Sequence, residues 1–115
     1  MPRPEGNENN LIESEYTNTQ YKISNVCSNL DKFLCEKNRR YGDSALHPRE
    51  IFLKQSDLKD GISLAEAALK ARMNDKFSRI ENSVNLRKND LWDLMGYIVL
   101  LLISKDWENP EDLID

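Results

Sequence analysis

Apolar residues recur at helical spacing in three stretches of the chain, and strand-like alternation never exceeds about four residues. The first stretch, from about Thr19 to Arg39, gathers Ile23, Val26, Cys27, Leu30, Phe33 and Leu34, with Asp31, Glu36 and Lys37 on the rest of the wheel. Gly42 supplies a helix stop, and Pro48 drives His47 out of helical backbone. Ile51-Phe52-Leu53 is expected to form a short helical turn that covers the core, and Asp57 to Gly61 a polar connection. The second stretch opens on Ser63-Leu64-Ala65-Glu66, a capping-box pattern in which the serine and glutamate side chains satisfy each other's backbone amides. A helix is predicted from there to about Glu81. After a turn over 82–88, a third helix is predicted from Asn89 or Asp90, either of which suits a cap, to about Ser104. Asn109-Pro110-Glu111-Asp112 reads as one further helical turn. The prediction is an all-α protein, a small helical bundle of three main helices plus short turns. Residues 1–18 are a flexible polar arm, 19–105 the helical domain and 106–115 an acidic tail.

Composition changes this picture in three ways. Of 115 residues, 39% are hydrophobic and 31% charged, and the arm and tail leave roughly 85 residues for one core. A domain of that size is marginal alone, which points to a homo-oligomer. Net charge is −4, and no basic block extends beyond Arg39-Arg40, which argues against a duplex nucleic acid partner. Cys27 and Cys35 sit about 12 Å apart on one helix, too far for a disulfide, and two buried thiols would fit a reducing cytosol. The single His47 reads as a turn residue and supplies no zinc site. The N-terminal residues carry no apolar signal core, and the longest apolar run, Leu94 to Ile103, is half of what a membrane span requires. A cytoplasmic protein without a membrane partner is the expectation.

Candidate chemistry lies on the second and third helices. On a wheel of residues 65–81, Ala65, Leu69, Met73, Phe77 and Ile80 form the apolar stripe. Lys76 falls inside it, Arg72 and Arg79 lie on its shoulder, and Asp75 lies just beyond. Three cations thus crowd the side that should be dry, where an unpaired charge costs several kcal/mol. The third helix is apolar nearly all round, except for a line of Asp90, Asp93 and Tyr97. If the two helices pack as neighbours, this line can face Arg72, Lys76 and Arg79. One reading is a buried salt-bridge network. The other is a ligand site, because three cations exceed what two carboxylates need, and guanidinium groups match phosphate oxygens.

The loop Tyr41-Gly42-Asp43-Ser44 joins the candidate site, with tyrosine to stack and aspartate and serine to donate or accept, although a helix stop with an Asx turn explains the same residues. Met73 and Met95 are expected in the core. Trp92, Val99 and Ile103 form a second apolar patch, assigned to a subunit interface.

The segments Glu36 to Pro48, Arg72 to Ile80 and Asp90 to Tyr97 resemble a pattern of small phage-encoded helical proteins. There a Tyr-Gly loop precedes a Lys-x-x-Arg helix and an Asp-x-x-Gly-Tyr helix. The pattern is similar to the nucleotide-modification-associated domains and, more distantly, to all-α MazG-like nucleoside triphosphate pyrophosphatases. The resemblance covers residues 22–104 and implies an all-α fold and a nucleotide ligand. MazG-like enzymes hold magnesium with a Glu-Glu-x-x-Glu motif and a Glu-x-x-Asp motif. Asp90-x-x-Asp93 can stand in for the second, but Asp31 and Glu36 on the first helix do not reproduce the first.

Three functions follow as expectations. The first is a non-catalytic binder of a nucleotide or cyclic-nucleotide-type anion, in the form of a phage anti-defence sponge that sequesters a signalling nucleotide. The second is a metal-dependent nucleotide pyrophosphohydrolase using Asp90, Asp93 and Mg²⁺. The third is a protein-binding adaptor acting through the Trp92, Val99 and Ile103 patch.

Overall fold

The computed structural model describes residues 16–113. Its regular structure is three α-helices, α1 (Asn18–Tyr41), α2 (Leu64–Asn82) and α3 (Lys88–Ser104), with two short 3₁₀ turns and no strand among the described residues. The fold is all-α, as the periodicity predicts. Most of the polar arm expected over 1–18 lies outside the described residues. At its end, Thr17 already caps α1. The chain divides at Gly42 and Asp43 into two compact units, where the sequence suggests one domain.

In the first unit, α1 begins with a complete capping box. Thr17 Oγ1 accepts from the Gln20 amide at 3.1 Å, and Gln20 Oε1 accepts from the Thr17 amide at 3.0 Å. The helix ends at Gly42, whose φ of 68° and ψ of −158° suit a residue without Cβ. The Gly42 amide donates to the Asn38 carbonyl at 2.7 Å, and Asn38 Nδ2 returns a bond to the Gly42 carbonyl at 3.2 Å. No residue of α1 is buried. Its two thiols are free and exposed, not buried as the apolar spacing suggests. Cys27 sits at the edge of the stripe, and Cys35 turns to solvent and donates to Asp31 Oδ1 at 3.2 Å.

In the second unit, α2 and α3 pack against each other. They run antiparallel: Lys76, late in α2, meets Asp90 and Asp93, early in α3, while Glu66, early in α2, meets Lys105 at the end of α3. Between these ends Leu69 is completely buried and Ala65 nearly so. Met73 is half-buried, as is Met95. Ile51, Phe52 and Leu53 form no covering turn. They are 61%, 96% and 40% exposed, and the short helical turn forms instead at Gln55–Asp57. Lys54 donates its amide to Asp57 Oδ2 there, which favours the polar segment over the apolar one.

Both interhelical caps depart from expectation. Ser63 Oγ accepts from the Glu66 amide at 3.0 Å, but the Glu66 carboxylate is drawn to Lys70 and Lys105. Helix α3 starts one residue before Asn89, and Arg87 at its cap makes no side-chain cap bond. The carboxylate of Asp90 is committed to Lys76. The end of α3 shows a Schellman arrangement: the Trp107 amide donates to the Leu102 carbonyl and the Asp106 amide to that of Ile103. Asp106 takes φ of 59°, a conformation that aspartate tolerates better than most residues. The predicted turn in the tail is present at Glu111–Leu113, with Asn109 Oδ1 accepting from the Glu111 amide at 2.9 Å.

Candidate functional site

The helical wheel puts Lys76 among apolar neighbours, and the packed hairpin buries it there at 8% exposure. Its ammonium lies 3.3 Å from Asp90 Oδ1 and 3.0 Å from Asp93 Oδ2. Asp90 is 1% exposed. Spacing places these acids: i and i+3 on α3 lie on one side of the helix, the side that meets α2. Two carboxylates hold the Lys76 pKa above its ordinary value. Hydrogen bonding to Asp93 is the largest cause, opposed by burial and reinforced by Asp90.

Of the predicted site residues, the structure therefore unites Lys76, Asp90 and Asp93. Tyr97, on the same line of α3, is half-buried. Arg72 and Arg79 do not join them. Both are exposed, as is Asp75, and neither arginine makes an ion pair among the described residues. A position on the shoulder of the stripe lets a long guanidinium side chain reach water at no electrostatic cost, whereas Lys76 has no such exit. The expected surplus of cations is absent from the seam, where one ammonium serves two carboxylates. Tyr41, Gly42, Asp43 and Ser44 are all exposed and straddle the junction between the two units. After Gly42 the chain makes a backbone turn, the Asp43 carbonyl accepting from the amides of Leu46 and His47.

A second charged cluster, at the other end of the hairpin, escaped the sequence reading. Glu66 is 9% exposed and pairs with Lys70 at 2.6 Å and Lys105 at 3.1 Å. Lys70 first and Lys105 second hold its carboxyl below the usual range. The Glu66–Lys70 pair was visible as an i, i+4 spacing. The Lys105 contact was not, because it depends on how α3 returns along α2. Lys105 also lies 5.5 Å from the Trp107 ring centroid.

Helix α3 turns its polar line toward α2 and its apolar sides away. Leu91, Ile98, Leu102 and Ile103 are each 39–41% exposed, and Trp92 and Val99 are half-buried. Among the described residues, no group of three or more His, Cys, Asp or Glu could hold a metal ion, and no helix is long and apolar enough to cross a membrane. Comparison with models of protein families, with curated proteins and with solved structures found no match for this chain.

Proposed function

We propose that this chain is a protein-binding adaptor that presents the apolar sides of α3 to a helix of another protein. One observation carries the reading. The most apolar helix of the chain spends its polar line on its neighbour and leaves Leu91, Ile98, Leu102 and Ile103 in contact with water. Singly exposed apolar residues are ordinary, but a continuous helical face of them marks an interaction surface. Such a face recognises an amphipathic partner helix through side chains at i, i+3, i+4 and i+7 spacing.

The test is the double variant Ile98→Glu with Leu102→Glu, together with a photo-crosslinking residue at position 98 of the otherwise natural chain. The variant should keep its helical circular dichroism and lose its binding of a hydrophobic dye. Crosslinks should form to a discrete second protein, and adding the Leu102→Glu change should abolish them. Unfolding of the double variant would make this face a core, and crosslinks only between copies would replace the adaptor with self-assembly.

A narrower nucleotide reading rests on Arg72 and Arg79. They lie seven residues apart on one edge of α2, exposed and without an ion pair among the described residues, and two guanidinium groups can grip a phosphate. The ligand would sit on the surface, and the sequestering role stands on the resemblance to phage proteins. Calorimetric titration with mono-, tri- and cyclic nucleotides should show heat that Arg79→Ala removes; no heat from any of them would end this reading. The pyrophosphohydrolase alternative requires Mg²⁺ to displace Lys76 from Asp90 and Asp93, and draws no support from that geometry.

A further inference from the structure

We infer that the partner helix of α3 is charged oppositely at its two ends, acidic where it meets the start of α3 and basic where it meets the close. The inference rests on the adaptor reading and names the chemistry of the partner. Residues 94–104 carry no charge, and Asp93 before them is held by Lys76. The outward face from Leu91 to Ile103 is therefore apolar over about 18 Å. Its two ends differ. Arg87 and Lys88 stand at the start, Asp106 and Glu108 stand just past the close, and Glu111 and Asp112 follow. All six are exposed, and none makes an ion pair among the described residues.

This order runs against the dipole of α3. The start of a helix is its positive end and favours acids, and the close is its negative end and favours bases. The two residues of favourable sign are committed within the hairpin, Asp90 to Lys76 and Lys105 to Glu66. The charges left exposed have the unfavourable sign at both ends, so the stability of α3 does not explain them. A helix laid along the face does. Apolar attraction is non-directional and holds such a helix either way round. Acids opposite Arg87 and Lys88, with bases opposite Asp106 and Glu108, fix which end goes where. A second copy laid antiparallel would bring the same order, but with a net charge of −4 against −4, which opposes approach at long range.

The experiment titrates the full chain into three labelled synthetic peptides at low ionic strength, read by fluorescence anisotropy. All three share one leucine stripe of helical period. One carries acids in its first turn and bases in its last, one carries acids in both, and one carries bases in both. The mixed peptide should bind about tenfold tighter than either other, and added salt should shrink that margin. The basic peptide is the stringent control, since the net charge of the chain alone would favour it. Arg87→Gln with Lys88→Gln should erase the margin over the basic peptide and keep the margin over the acidic one. The same variant should leave the melting temperature of the free chain unchanged or raised; a lowered one would make these cations structural and overturn the inference. Equal binding of all three peptides, lost with Ile98→Glu and Leu102→Glu, would overturn the charge order and leave the adaptor standing. Binding of none would remove both, and a dimer of the free chain through this face would replace the foreign helix with a second copy.

Discussion

Helix α1 and the α2–α3 hairpin hold their charges in opposite ways. On α1 the Glu36 ion pairs are local and wet: Glu36 binds Arg39 at 2.6 Å and Arg40 at 2.7 Å, within a single turn. The hairpin has one local pair, Glu66 with Lys70 at 2.6 Å, but its others are long-range and more sheltered, linking Lys76 to Asp90 and Asp93, and Glu66 to Lys105. Exposed pairs of the first kind contribute a few tenths of a kcal/mol and select nothing. Pairs of the second kind gain little net stability over apolar packing, but breaking one strands a charge. In this protein they set the register: sliding α3 by one turn would separate both ends at once. The hairpin is thus specified by electrostatics at its ends and by Leu69 between them.

The sharpest way to break this contrast is Lys76→Met, which leaves Asp90 and Asp93 facing each other without their ammonium. The hairpin should lose about 3–5 kcal/mol, read by denaturant unfolding through tryptophan fluorescence, while α1 helicity stays unchanged. Replacing all three together (K76M with D90L and D93L) should recover most of that loss. A single variant within error of the natural chain would mean that water neutralises the acids.

A smaller effect is expected in acid. Glu66 has a depressed carboxyl pKa, so its contribution is present above the ordinary glutamate value of 4.5 and lost as pH falls through the lower folded value. Lys76 has a raised pKa, so its contribution persists below 10.5 and is lost only as pH rises through the higher folded value. Melting temperature against pH should therefore fall on the acid side in the natural chain, and Glu66→Gln should flatten that limb. An unchanged acid limb would show that Glu66 is not the group being titrated.

Thr17→Ala should weaken α1 by about 1 kcal/mol, seen as fraying at its start by amide exchange, with the hairpin unaffected. Arg72→Ala and Arg79→Ala sit at the bottom of the scale, each changing hairpin stability by less than about 0.5 kcal/mol. A loss as large as that expected for Lys76→Met would put these arginines back in the seam.

Much of this architecture was legible because its causes are local. Gly42 and Ser63 mark helix ends through their own backbone preferences, and the tail turn follows from Asn109-Pro110. The wheel also identified Lys76 correctly, since a cation centred in an apolar stripe has nowhere else to go. Arg72 and Arg79 show where the wheel loses meaning: at its shoulder a long side chain chooses water, and an angular position cannot record that choice. Asp90 looked like a cap for the same reason. Its alternative partner lies fourteen residues away.

By itself, then, the sequence determined three helices, most of their ends and the pairing partners available to Lys76, because backbone propensity and side-chain period act over a few residues. Only tertiary structure decided which side of α3 meets α2. That helix is apolar nearly all round, so its periodicity names no unique dry face. The choice fell to the polar line, whose acids could reach Lys76 only by turning inward. The apolar sides of α3 face outward as the consequence.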